Sequence, residues 1–315
     1  MFVSVPNTPQ AASLFTNADM FLHCILTHKR NRAGFAFCLT SALVLFAACD
    51  QYDNPVIGII PPCDESGAPV FEAMTSDVQR ILVEDFTAHQ CGACPPAGLE
   101  LKQLVEDHPG QVLPLAIHAG PLASTNAQFT TDWTTDEGDQ FWDDTQSTLN
   151  PVGRVNRVPG EGTILAVSEW AGVVEGLAGN TPSAGLQLEV VHDDNSLQTT
   201  AHVHVTWFEG IGGPVRLSLL VAESDLVAPQ LWYPTANPPG PGLIEDYNHE
   251  HILRGSMTGA KGLVLAEGAN AGDIHQGCYT FQWNPAWAAE SSEIIAVLTG
   301  SNGVVLQAIS MPVSP

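Results

Sequence analysis

Residues 81–86, Ile-Leu-Val-Glu-Asp-Phe, form a short apolar run suited to a buried strand, and Cys91-Gly92-Ala93-Cys94 follows it closely. Pro95 and Pro96 come next, where their missing N–H groups are tolerated in a helix's first turn. Leu99, Leu101, Leu104 and Val105 then supply an apolar helical face. After the turn residues His108-Pro109-Gly110, Val112 to Ile117 reads as a second buried strand. Strand, helix and strand make a βαβ unit with a parallel pair, which excludes a purely β first half.

A C-x-x-C pair opening a helix sets its first sulfur near unpaired backbone N–H groups and the positive end of the helix dipole, which favours thiolate. Cys91 is therefore the expected nucleophile. Cys94, one turn on, is the expected resolving thiol, which attacks a mixed disulfide and releases the partner. Two other uses of the pair stand beside this one. Exported domains commonly hold permanent disulfides. A metal could gather His89, Cys91, Cys94 and His118, but the sequence has no second C-x-x-C, and no metal is expected.

The rest of the first half continues with helix and strand signals. Thr134 and Glu137 have the spacing of a capping box for a helix through Phe141 and Trp142. Asn150-Pro151 precedes a strand near 152–158, and a last helix is predicted over 168–177. Past Thr181-Pro182 the period changes to two, with Ala201, Val203, Val205 and Trp207 on one face and Thr200, His202, His204 and Thr206 on an exposed one. Further strands are predicted at 215–221, 262–266, 293–298 and 304–309, the last two joined through Ser301-Asn302-Gly303. The expected fold is an α/β domain over 77–180 followed by a β-sandwich-like domain over 181–315. His202 with His204, and Asp193-Asp194-Asn195, are read as strand and turn residues, not as metal sites.

The N-terminus reads as a leader. His28-Lys29-Arg30-Asn31-Arg32 precedes a 14-residue apolar run, Ala33 to Phe46, which is shorter than the roughly 20 residues a spanning helix needs. Met20 is the suspected true start, since the residues before it fit no export signal. Ala47-Ala48-Cys49-Asp50 resembles the lipobox of bacterial lipoproteins, which implies cleavage after residue 48 and acylation of Cys49. Residues 49–76, with Asn54-Pro55 and Pro61-Pro62, then form a lipidated terminus and tether. Cys24 and Cys38 leave with the leader. Cys63 and Cys278 remain as a candidate staple, whose pairing sequence alone does not fix.

Net charge is −24 with 10 basic residues, so the chain cannot neutralise a row of phosphates or build a basic membrane-surface patch. Nucleic acid is excluded, and membrane contact is expected through the anchor alone. No Gly-rich phosphate loop, Gly-x-Ser-x-Gly elbow or His-Glu-x-x-His occurs, and no cofactor is expected.

The text from Val83 to Cys94 resembles the strand-to-active-site segment of thioredoxins. That resemblance implies a thioredoxin-like fold. It gives Asp85, six residues before Cys91, the role of a buried carboxylate moving protons for Cys94, and it makes Pro151 the cis-proline of the substrate groove. Gln90 and Pro95 depart from the usual aromatic and basic residues, so substrate contacts and potential do not carry over. A wider resemblance rests on Glu84-Asp85-Phe86-Thr87, Ala116-Ile117-His118-Ala119-Gly120, Asn156-Arg157, Asn248-His249 and Leu253-Arg254-Gly255. In that order they are similar to the Omp-twenty-eight-related outer membrane lipoproteins, which implies an outer-membrane protein with a thioredoxin-like domain followed by β structure. The expected activity is thiol–disulfide exchange with exported or surface proteins. The alternative is a surface binding or adhesion module in which the cysteine pair is static.

Overall fold

The computed structural model describes residue 63 and residues 68–313. The expected leader, with Met20 and the lipidation residue Cys49, lies outside the described residues. No helix among the described residues is long and apolar enough to cross a membrane.

Strand β1, Ile81–Thr87, runs parallel to β2, Val112–His118, in the register Ile81↔Val112 through Thr87↔His118. Helix α1, Cys94–Asp107, makes the crossover. Strand β3, Val152–Val155, lies antiparallel on the other side of β1 with Phe86↔Val152. It stops three residues earlier than its apolar text suggests, because Asn156 and Arg157 adopt positive φ (46° and 54°). Asn tolerates that conformation, and here Asn156 serves β1: its Oδ1 accepts from Leu82 N at 2.7 Å and its own N–H donates to Leu82 O at 2.8 Å. Helix α2 covers Asp136–Thr145 and α3 covers Val167–Leu177. The cap of α2 is Thr135, whose Oγ1 accepts from Gly138 N at 2.9 Å; Thr134, one residue early, donates its hydroxyl to Asp132 instead.

The second half adds β4 Ala184–Asp193, β5 Gln198–Trp207, β6 Ile211–Glu223, β7 Leu226–Trp232, β8 Gly242–His249, β9 Ile252–Ser256, β10 Leu263–Ala269, β11 Ile274–Gln282, β12 Ser292–Thr299 and β13 Val305–Pro312. An eight-stranded sheet has the order β13-β12-β6-β9-β2-β1-β3, with β10 also pairing β6. Parallel pairing of Ala116 with Ile252 joins β2 to β9. The α-helices of the described residues all fall before residue 180, yet this sheet draws strands from both sides of that point, and the described residues form one compact unit. The protein is mostly β with mixed sheets and few helices.

Alternation assigns each strand to two cores. On β1, Ile81 and Val83 pack with Leu101, Leu104, Trp170 and Val174 of α1 and α3. Leu82 and Phe86 face the other way, with Phe141, Trp142, Leu220 and Ile295. On β6, Leu217, Leu219 and Val221 instead meet Leu186, Val203, Val205 and Trp207 of the separate sheet β11-β5-β4. Both faces of the central strands are thus buried, which explains runs such as 219–222 and 294–298 that read as continuously apolar.

One predicted face is corrected. His202 and His204 are buried rather than exposed. The His204 ring stacks on Phe71 at 5.5 Å, so residues expected to be a loose tether cover that side of β5. The same segment is fastened elsewhere, by a disulfide between Cys63 and Cys278, and just past its end Gln307 Nε2 donates to Asp77 Oδ2 at 3.1 Å.

Candidate functional site

Thr87 ends β1, and the following turn brings Cys91 to the start of α1: Cys91 N donates to Ala88 O at 3.0 Å, and Cys94 N to Cys91 O at 3.1 Å. Cys91 and Cys94 are joined as a disulfide. Cys94 is the first helical residue, and Pro95 and Pro96 follow in the first turn. Because both prolines lack an N–H, this helix end offers fewer donors to the Cys91 sulfur than most. Gln90 faces a neighbouring loop, with its N–H on Leu122 O at 3.2 Å and its Oε1 accepting from Asn126 at 2.9 Å.

The Asn150–Pro151 bond is cis. Asn150 Nδ2 donates to Phe86 O at 3.0 Å, and Val152 pairs with Phe86, so Pro151 stands at the end of β1 from which the cysteine loop departs.

A cavity of about 500 Å³ lies on the α1 side of β1 and β2. Asp85, Cys94, His118, Tyr247 and His249 line it, as do apolar side chains including Leu101 and Ile252. Asp85 is buried, its Oδ1 has no hydrogen-bond partner, and burial pushes its carboxyl up to about 7. His118 Nδ1 and His249 Nε2 are likewise buried without partners. Burial lowers His118 well below the ordinary imidazole value, and the nearby His249, His89 and Arg254 add to the effect. Burial also lowers His249, to about 4. Both rings are neutral at pH 7. Asp85, which keeps its proton toward neutrality, and two neutral imidazoles therefore line one cavity together with Cys94.

The imidazoles belong to a buried aromatic cluster. His89 stacks on Phe129 at 4.9 Å, His118 meets His249 edge-on at 5.5 Å, and Tyr247 meets His249 at 4.9 Å. Arg254 lies over Trp133 at 5.1 Å. Among the described residues no three His, Cys, Asp or Glu side chains are grouped to hold a metal ion.

The hairpin β7–β8 forms a two-stranded sheet of its own and covers the cysteine loop. Leu231 N donates to His89 O at 2.9 Å and Tyr233 N to Gly92 O at 2.8 Å. Gln230 Nε2 donates to Cys91 O at 3.1 Å. Both cysteines are left only 2% exposed. Sequence reasoning did not find this hairpin. Pro229 interrupts the β7 text, and the structure accommodates it at a register shift between Ala228 and Gln230. The one signal present was Asn248-His249, which carries the wider resemblance.

The opposite side of β1 holds a second polar group. Glu84, fully buried, pairs with Arg154 Nε at 2.9 Å and Arg157 Nη2 at 2.7 Å. Burial alone would raise its carboxyl, but the two guanidinium groups hold it down at about 2. Both guanidiniums lie over the Phe141 ring, at 5.5 and 5.0 Å.

Comparison with known proteins places the chain. HBP35 of Porphyromonas gingivalis shares the fold, with 17% identity, 76% of this chain and 77% of that one covered, and a TM-score of 0.57. A crystallised domain of the outer membrane lipoprotein Omp28 from Porphyromonas gingivalis matches with 14% identity over 42% of this chain and 90% of that one, at a TM-score of 0.29. No curated protein matches. The family model for outer membrane protein Omp28 matches residues 138–314, more than half the chain. The match includes the strands that complete the large sheet and the residues Arg154, Arg157, His249 and Arg254. The chain belongs to the Omp28 family and is an outer-membrane protein of the cell envelope.

Proposed function

We propose that this protein is a thiol–disulfide oxidoreductase of thioredoxin-like architecture, held in the outer membrane by a lipid on Cys49 after removal of a leader. The observation that carries the reading is the shared cavity of Cys94 and partnerless, buried Asp85, beside a C-x-x-C at the start of α1. A structural disulfide has no use for a carboxyl that holds its proton near neutrality. A thiol that must leave and return does.

In the forward direction, a partner thiolate attacks Cys91 Sγ, a sulfur–sulfur bond forms between them, and the Cys91–Cys94 bond breaks with Cys94 leaving as thiolate. Asp85 gives that thiolate a proton. The partner's second thiolate then attacks its own sulfur in the mixed disulfide, so the partner leaves oxidised and Cys91 leaves reduced. The reverse direction uses the same atoms, with Asp85 taking the Cys94 proton. Pro151 borders the groove where an extended exported polypeptide lies against the cysteine loop. The staple from Cys63 to Cys278 plays no part in the exchange.

A second reading, a surface binding module with a static disulfide, is favoured by one observation: the sulfurs are covered. Iodoacetamide trapping across a thiol redox series, with Cys91→Ser and Cys94→Ser variants, separates the two. A reversible two-electron transition between roughly −270 and −120 mV, with mixed disulfides accumulating in Cys94→Ser, supports exchange. A pair resisting reduction below about −300 mV supports the static module.

A further inference from the structure

The element covering Cys91 holds the cysteine loop by main-chain hydrogen bonds from a strand edge. Along one edge β7 pairs with β8, from Leu226↔His249 to Trp232↔Gly242. From its other edge, Leu231 and Tyr233 donate to the carbonyls of His89 and Gly92. Donors two residues apart on one edge are strand spacing. The Tyr233 ring lies directly on Gly92, where a Cβ would overlap it, so the ring closes down only because that position is glycine.

Beyond these contacts the arm from Leu231 to Gly242 has little hold on the body. Pro234, Thr235, Asn237, Pro238, Pro239 and Pro241 are exposed. Its hydrogen bonds are largely internal: Ala236 N and Gly240 N both donate to Tyr233 O at 3.0 Å, and Trp232 Nε1 donates to Pro238 O at 3.0 Å. An arm with few buried contacts opens locally without disturbing the sheet. It can also move as a unit, since its own turn stays bonded.

We propose that this arm is a cover that closes the Cys91–Cys94 pair to small thiols and yields to an extended polypeptide. Opening leaves the carbonyls of His89 and Gly92 without donors. A polypeptide lying along the loop supplies N–H groups at the same spacing and replaces what opening lost. A small thiol supplies none. The substrate class rests on the exchange reading above; the covering itself does not.

The test compares reduction rates of the oxidised full chain by dithiothreitol and by an unfolded peptide dithiol, in wild type and Tyr233→Ala. The expected result is a gain of about tenfold with dithiothreitol in the variant and a much smaller gain with the peptide. An unchanged dithiothreitol rate, or equal gains with both reductants, overturns the proposal. Should Tyr233→Ala not fold, hydrogen exchange on the wild type decides. Leu231 and Tyr233 amides that exchange much faster than those of β1 support the cover, and equal protection overturns it. A potential below about −300 mV would sink the exchange reading alone, because forced reduction still reports the rate ratio.

Discussion

Glu84 and Asp85 are neighbours on β1, both carboxylates and both buried, yet the two sides of the strand treat them oppositely. Alternation sends Glu84 among Arg154, Arg157 and Phe141, where two guanidinium groups keep it ionised at about 2. It sends Asp85 into a cavity with no cation at hydrogen-bond distance, where burial lifts it to about 7. Burial acts on both; the partners decide the sign. The Glu84 side is a structural clamp tying β3 and the turn after it to β1. The Asp85 side is where a proton can be exchanged.

The sharpest way to break this contrast is Glu84→Gln, which leaves two buried guanidiniums without a countercharge. We expect a loss of about 3–5 kcal/mol in urea unfolding at pH 7. A loss under about 1 kcal/mol would show that the clamp is not one. The wild-type clamp also has a pH signature. Glu84 titrates below its ordinary 4.5 in the folded state, so its contribution is complete above that pH and fades as pH falls toward about 2.

Asp85→Asn is expected to act in the other direction. The folded state holds a proton that the unfolded chain has released between pH 3.8 and about 7. Wild-type stability therefore falls as pH rises through that window, and the penalty is complete above it. The variant should gain roughly 2–4 kcal/mol over wild type at pH 8 relative to their difference at pH 4. Unfolding curves at the two pH values that differ by the same amount in both proteins would remove Asp85 from the account.

The same substitution tests the chemistry. With Asp85→Asn, release of the mixed disulfide by Cys94 near pH 7 should slow on the order of tenfold to a hundredfold, read by quenched trapping. An unchanged rate would mean that the cavity does not serve the cysteines. The smallest effect should come from Phe141→Leu, which removes the ring under both guanidiniums and leaves Glu84 in place. About 1–2 kcal/mol is expected, with no change in exchange rate. A change in that rate would show that the two sides of β1 are coupled.

Much of the first half was legible from residues. The strand, C-x-x-C, helix and strand order stands where its periodicity put it, because each element there buries a face set by its own sequence. Boundaries slipped where a side chain bonded differently from its pattern, as when Thr135 rather than Thr134 capped α2. The buried face of His202 and His204 was not legible, since the Phe71 that covers it arrives from a segment without periodicity of its own. The hairpin β7–β8 was hidden by Pro229, a residue that argues against a strand unless a register shift absorbs it.

The sequence by itself determined the local chemistry of this protein: a cysteine pair opening a helix, a carboxylate six residues before it, and a proline after Asn150. These follow from near neighbours along the chain. Only the tertiary structure decided what surrounds them. His118 and His249 meet at 5.5 Å although β2 and β8 are far apart in sequence, and Tyr233 lies on Gly92 because a distant hairpin pairs with the cysteine loop. Which of two adjacent carboxylates keeps its proton to higher pH likewise depends on Arg154 and Arg157, brought to one face of β1 by the antiparallel return of β3. Charge state and access are set by whatever occupies the neighbouring space, and only the folded chain defines that space.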